Sequence, residues 1–163
     1  MKFKPWKLQK NFWKTIVLAA LLVGSLDIIA ALVNFYSKTG KDPQIVLKYI
    51  ASAVVGKEAF SGGPAISLLG LALHFLVAFI WTLVFFWSYP KLRFLSSNRI
   101  LTGILYGIFI WFVMSHAIVP MSKASVGAFK LKEAATAALI LICAIGLPLS
   151  FIANKYYKGT KSS

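Results

Sequence analysis

Residues 15–36 read TIVLAALLVGSLDIIAALVNFY and form an apolar run that a single charged residue, Asp27, interrupts. At about 1.5 Å per residue, a helix of this length crosses the roughly 30 Å hydrocarbon core of a bilayer. An acidic side chain at that depth is costly unless it has a partner. The run therefore predicts a transmembrane helix, and Asp27 marks the position in it where a function is most expected.

Three further apolar runs, at residues 64–89, 100–121 and 134–154, are also long enough to span a membrane. The chain has 163 residues, of which 59% are hydrophobic and 13% are charged. A typical soluble domain carries about 25% charged residues, so this composition excludes an ordinary soluble protein. We predict an all-α integral membrane protein that forms one transmembrane domain over residues 1–163, with four antiparallel transmembrane helices.

The connection between the first two runs, residues 37–63, is long enough to hold a short helix over about residues 43–56. Asp42 at the cap and Pro43 at the first position form a helix start signal. The polar residues of this segment recur at every fourth position and form one stripe: Gln44, Lys48 and Ser52. The segment is too short to span, so we predict an interfacial or re-entrant helix in the first outer loop.

The net charge of +14 is concentrated at the predicted helix ends. Residues 1–14, 90–99 and 155–163 contain Lys and Arg but no Asp or Glu, and they fall on one side of the membrane. Basic residues are enriched on the cytoplasmic side of membrane proteins. We therefore expect both termini in the cytoplasm, and all acidic residues other than Asp27 on the opposite, outer side.

A basic cytoplasmic face beside a bilayer attracts anionic lipid headgroups, and we expect lipid rather than nucleic acid as the partner. Aromatic residues at the same boundary agree with the span ends, because such rings settle at headgroup depth: Trp6, Trp13, Trp87, Tyr89, Tyr156 and Tyr157. The single cysteine, Cys143, lies within the fourth run, and no intrachain disulfide is possible.

Each predicted span carries a stripe of small or weakly polar residues, which in lipid permits close helix packing. The stripes are Ala20, Gly24, Asp27, Ala31 and Asn34; Ser67, Gly70, His74, Ala78 and Trp81; Gly103 and Gly107; and Thr136, Cys143, Gly146 and Ser150. We predict that these faces point inward. Gly103 and Gly107 form a GxxxG pair that serves either internal packing or homo-oligomerisation, and Pro148 predicts a kink in the fourth span.

Asp27 and His74 are predicted to lie level in the membrane, each about 3 Å to the outer side of its span midpoint. Both occupy the small-residue face of their helix, so we predict a hydrogen bond or ion pair between them. Burial favours the neutral form of each group whereas pairing favours the charged forms, and the pair could therefore exchange a proton near neutral pH. The alternative is a buried polar pair that only fixes helix packing.

These observations predict an outer-facing intramembrane polar pocket that binds a small ligand, ion or lipid headgroup, or relays protons. Its predicted lining is Asp27, Asn34, Ser67, His74 and His116, with a loop over it formed by Phe60, Ser61, Gly62 and Gly63. His116 is the weakest member, because it lies about 9 Å outward and about 180° around its helix from Gly107. An ordinary interfacial histidine is the favoured interpretation of His116.

Two histidines on neighbouring spans also suggest a haem protein, but their predicted depths differ by about 6 Å. Asp27, His74, His116 and Cys143 are suitable metal ligands, yet none of them shows the spacing of a ligand motif within one helix. The sequence contains no Gly-x-Ser-x-Gly motif of hydrolases, and it has no second intramembrane carboxylate that could form an aspartyl pair with Asp27. We expect no enzyme activity, cofactor or metal, and keep a metal- or haem-binding protein and a structural or assembly protein as alternatives.

Several segments together resemble an uncharacterised family of bacterial four-helix inner-membrane proteins, over roughly residues 15–155. The segments are YIAS at 49–52, GKEAFSGG at 56–63, LGLALHF at 69–75, GILYG at 103–107 and VPMS at 119–122. The resemblance implies a bacterial inner membrane and an outer-side arrangement of the loop at residues 59–63 over His74, and it implies no activity. The family carries a further histidine in its last helix, where this chain has only apolar residues at 139–142.

Overall fold

The computed structural model describes residues 11–91, 98–125 and 130–159, and these residues form helices and turns without any β-strand. The long apolar helices are α1 (Phe12–Thr39), α3 (Pro64–Ser88), α4 (Arg99–Met121) and α5 (Leu131–Tyr157). The shorter helix α2 covers Gln44–Val55. The predicted all-α membrane fold, with four spans and one short helix between the first two, is confirmed. Trp6 lies outside the described residues.

The helix ends follow local signals in the sequence. Helix α1 ends at Gly40, which adopts the left-handed conformation at φ 63° and donates its N–H to the Tyr36 carbonyl. The Asp42 carboxylate accepts the amide proton of Gln44, the first residue of α2, at 2.9 Å, so the helix begins one residue after the predicted first position, Pro43. Asn98 caps α4 by accepting the amide protons of Ile100 and Leu101.

The bundle has two ends. We call the end that holds α2 the cap end, and the end where α1 begins and α5 finishes the terminal end. Helix α1 packs against both α3 and α5, and α5 packs against both α1 and α4. Helices α3 and α4 are joined by the Tyr106 hydroxyl, which donates to the Trp81 carbonyl at 2.6 Å, and by an edge contact between Trp81 and Phe109.

Helices α4 and α5 approach so closely that their backbones touch. A Cβ atom added to Gly146 would collide with the Gly103 carbonyl, and one added to Gly107 would lie 2.5 Å from the Ile142 Cα. Helices in lipid associate through such small-residue contacts because no aqueous hydrophobic effect drives them together. The predicted inward orientation of Gly103, Gly107 and Gly146 is confirmed, and this glycine face is occupied within the chain rather than left for a second copy.

The tyrosines at the terminal end belong to the protein core rather than to a headgroup belt. Tyr89 is 3% exposed and stacks on Tyr157 with ring centroids 5.5 Å apart. The Asn154 side-chain amide donates to the Tyr89 hydroxyl at 3.0 Å, which satisfies the buried phenol. The assignment of these two tyrosines to the boundary is therefore wrong. Trp13 and Trp87 are exposed, as a boundary position requires.

Two prolines each follow a π-helical turn. In α5 the turn covers Ile142–Gly146, where the Leu147 amide bonds to the Ile142 carbonyl, and Pro148 comes next. In α4 the turn covers Met114–Ile118, and Pro120 lies one residue beyond the amide that closes it. Proline lacks an N–H, so a wider turn before it accommodates the interrupted hydrogen-bond ladder.

Cys143 is exposed, so its predicted place on the inward face of the fourth span is wrong. The residue lies inside the π-helical turn of α5. A π-helical turn holds an extra residue and therefore shifts the faces that regular helical spacing would assign.

Gly146→Ala is expected to destabilise the protein by about 1–3 kcal/mol, because the added methyl group overlaps the Gly103 carbonyl. Gly63→Ala is the matched control, since a Cβ there meets nothing within 4 Å and the backbone φ is −78°. Unfolding by denaturant in detergent micelles measures both variants. Equal stability of the two variants would show that the α4–α5 contact can relax.

Candidate functional site

His74 lies on α3 and faces α1. Its Nε2 is 2.8 Å from the carbonyl oxygen of Gly24. A carbonyl oxygen can only accept a hydrogen bond, so Nε2 must carry the proton that is donated. A Cβ atom on Gly24 would lie 2.9 Å from the Phe75 ring and 3.2 Å from the Ala78 side chain. The glycine thus lets α3 come close enough for the imidazole to reach the α1 backbone.

Asp27 lies one helical turn beyond Gly24 and is half-buried. Its carboxyl group interacts electrostatically with the His74 imidazole. No hydrogen bond or close ion pair joins the two side chains; the ion pair that the described residues contain is Lys130 with Glu133 at 3.0 Å. The predicted hydrogen bond or ion pair between Asp27 and His74 is therefore not formed. The imidazole bonds instead to the backbone of Gly24, three residues before Asp27.

The second nitrogen of the His74 ring, Nδ1, is left with a lone pair when the imidazole is neutral, because Nε2 holds the proton. The ring also contacts Phe75 edge to face at 5.6 Å, which limits its rotation. Asp27 is the only charged residue in residues 15–36, and residues 64–89 contain none. The pair is therefore an oriented base beside a lone carboxyl group within two apolar helices.

Ser67 and Asn34 lie away from this pair. Ser67 is buried on α3, and its hydroxyl donates to the Gln44 side chain of α2 at 3.3 Å. Asn34 is half-buried on α1. Each of them is seven positions along its helix from His74 or Asp27, which is about 10 Å nearer the cap end. The predicted lining is therefore spread along the helices, with Ser67 engaged by α2.

His116 is exposed, and the ring contacts that the structure shows for it are all on α4. Its Nδ1 donates to the Phe112 carbonyl at 3.2 Å, and its ring stacks on the Phe112 ring at 4.7 Å. Trp111 contacts the same imidazole edge to face at 5.6 Å. This geometry agrees with an interfacial histidine and does not bring His116 to the Asp27–His74 pair.

The predicted covering loop is attached to α2 and to the start of α3. Phe60 accepts a hydrogen bond from the Lys48 ammonium group at 3.4 Å through its carbonyl. Gly62 packs against Ile66, while Ser61 and Gly63 are exposed. The loop lies about 16 Å along α3 from His74. The loop lies at the cap end, and its described contacts are with α2 and the start of α3 rather than with the imidazole.

Helix α2 contacts both α3 and the segment that follows α4, at the cap end of the bundle. A Cβ atom on Gly70 would collide with the Leu47 carbonyl, so α2 and α3 are in backbone contact. The Lys123 amide after α4 donates to the Ala53 carbonyl at 3.1 Å, and the Tyr49 hydroxyl donates to the Ser125 carbonyl at 3.3 Å. Burial raises the pKa of Tyr49 above its ordinary 10.0, which keeps the phenol a donor at neutral pH.

The described residues do not assemble a metal site: no three His, Cys, Asp or Glu side chains among them meet at one point. Surface concavities that the fold does form lie elsewhere, including one of about 260 Å³ between α1 and α5. The Gly24 carbonyl is a partner of His74 that was not predicted from the sequence. The available signal was a glycine on the same helix face as Asp27 and one turn before it.

The fold and this pair define a four-span α-helical membrane protein with one acid and one imidazole close together inside the bundle. No family model, no curated protein and no solved structure matches the chain. Its function is therefore inferred from the geometry of the pair.

His74→Phe is expected to lower the stability of the folded protein by about 0.5–1.5 kcal/mol, because the ring is kept while the interhelical hydrogen bond to Gly24 is lost. His116→Phe is the control and should change stability little, since His116 is exposed and bonds within its own helix. Thermal unfolding in detergent measures both. Equal losses of stability in the two variants would show that the hydrogen bond from His74 to Gly24 contributes little to the packing of α1 against α3.

Proposed function

We propose that this multi-pass membrane protein binds and releases a proton at the Asp27–His74 pair. One observation carries the proposal: the Gly24 carbonyl fixes Nε2 of His74 as the protonated nitrogen, beside the only carboxyl group of α1 and α3. An imidazole is the side chain whose charge changes most readily near neutral pH. Here it is oriented by the backbone, as a group that transfers protons must be.

The two side chains are close but are not bonded to one another. The Asp27 carboxyl group interacts electrostatically with the imidazole, and among the described residues no hydrogen bond or close ion pair joins them. Nε2 bonds to the Gly24 carbonyl, so a proton could be gained or lost at Nδ1 while that bond is kept.

The proposal also includes a location for the pair: the outer half of a bacterial cytoplasmic membrane. Described basic residues at the terminal end, namely Lys14, Lys91, Arg99 and Lys155, support a cytoplasmic position for that end. The resemblance of the sequence to bacterial inner-membrane proteins supports the type of membrane. The cap end and α2 then face outward, and protons reach the pair from that side.

A structural role is the second candidate, because the hydrogen bond from His74 to Gly24 also ties α3 to α1. In this alternative the polar groups only fix how the helices pack, and the protein acts as a scaffold or assembly partner. The two candidates differ in whether the protonation state of His74 depends on Asp27 under physiological conditions.

Under this proposal, Asp27→Asn is expected to change the pH dependence of the His74 ring signals, because the variant lacks the carboxyl group that interacts with the imidazole. Nuclear magnetic resonance of ¹⁵N-labelled imidazole in nanodiscs follows the titration. Asp42→Asn is the matched control, since Asp42 is exposed and caps α2. The His116 signal provides an internal reference in every sample.

The contrary result is a His74 ring that keeps one protonation state across the physiological range in both proteins. A loss of thermal stability in Asp27→Asn without any change in the His74 titration would also reject the proton site. Either result would leave the scaffold as the supported function.

A further inference from the structure

A groove runs along the surface between α1 and α5 in the half of the bundle nearer the terminal end. It encloses about 260 Å³ and is lined by Thr15, Leu18, Ala19, Leu22 and Ile152. Ala19 is 3% exposed, whereas Leu18 and Leu22 are 56% and 49% exposed. The groove exists because the small Ala19 leaves space at the floor while two leucines stand at the rim.

The groove lies along the apolar part of α1. Its α1 residues belong to the apolar run at residues 15–36, within a helix long enough to cross a membrane. Towards the terminal end the two helices come together again, where the rings of Phe12 and Tyr156 lie 6.3 Å apart. The space is thus an elongated apolar depression that opens sideways to the membrane.

Two lysines stand at the terminal end of this groove. Lys14 precedes Leu18 by four residues and Lys155 follows Ile152 by three, so each shares a helix face with a lining residue. Both lysines are exposed. The nearby parts of the two helices, residues 12–26 and 142–157, contain no acidic residue. Each of the two helices therefore carries a positive charge at the terminal end of the groove.

We propose that this groove, the α1–α5 groove, binds one anionic phospholipid, with an acyl chain along Ala19 and the phosphate between Lys14 and Lys155. The apolar lining matches a hydrocarbon chain, and lysine side chains extend to headgroup depth while their stems cover apolar surface. Anionic headgroups are attracted to such basic positions beside a bilayer. This site is separate from the Asp27–His74 pair and does not depend on the proton proposal.

Native mass spectrometry of the protein with phosphatidylglycerol and with phosphatidylcholine of identical chains tests the headgroup contact. The wild type is expected to retain the anionic lipid at least fivefold more. Lys14→Gln with Lys155→Gln should remove this preference. Lys38→Gln with Lys132→Gln is the matched control, because these exposed lysines lie on the same helices at the cap end.

A preference that survives the Lys14 and Lys155 changes would overturn the site. A preference lost to the same extent in the cap-end control would also overturn it, because general attraction to a basic protein would then explain the binding.

The acyl-chain contact is tested separately with Ala19→Phe, which fills the groove floor and leaves both lysines in place. Loss of the retained phosphatidylglycerol is expected, whereas Leu21→Phe, on an exposed position of α1 outside the lining, should keep it. Retention of phosphatidylglycerol by both variants would refute the proposed acyl-chain contact with the groove.

A phosphatidylglycerol with a photoreactive acyl chain tests the same contact in the wild-type protein, in case Ala19→Phe does not fold. Cross-links are expected at residues 15–22 and at Ile152. Cross-links spread evenly over the four spans would overturn the proposal.

Discussion

Close approach of helix backbones at glycine is the constraint on which the rest of this structure depends. Helices in lipid gain little from apolar side chains that hydrocarbon solvates equally well, so they associate where backbones can touch. Gly24 allows α3 to pack closely on α1, Gly70 allows α2 to pack closely on α3, and Gly146 allows α5 to pack closely on α4. At Gly24 the same contact exposes a backbone carbonyl to His74. The packing of α3 against α1 and the orientation of the His74 imidazole therefore have a common origin.

The position of Asp27 follows from this packing. A carboxyl group on the lipid face of α1 would be strongly disfavoured, whereas one turn from Gly24 it lies on the face that α3 partly covers. The neighbouring imidazole is held by the Gly24 backbone rather than by the carboxyl group, and no described residue forms a hydrogen bond with that carboxyl group. The proposed proton site rests on this arrangement of an acid and a base that are close but not bonded.

The fold could be predicted because four apolar runs of spanning length and their stop signals are explicit in the sequence. The nearness of Asp27 and His74 could also be predicted, since the position of a residue along a helix depends on the rise per residue. The hydrogen bond from His74 to the Gly24 carbonyl, rather than to the Asp27 carboxyl group, could not be predicted. The two possible acceptors are only one helical turn apart on α1. Tyr89 and Tyr157 were assigned to the boundary because an aromatic ring at a span end suits the interface and the core equally.

The π-helical turn at Ile142–Gly146 amounts to one additional residue in the middle of a membrane-crossing helix. Each residue turns an α-helix by about 100°, so the turn sets the rotational phase between the two halves of α5. The half of α5 that follows the turn carries Ser150, and this residue is fully buried in the core. Deleting one residue here would restore a regular helix and at the same time turn one half of α5 out of register with α4.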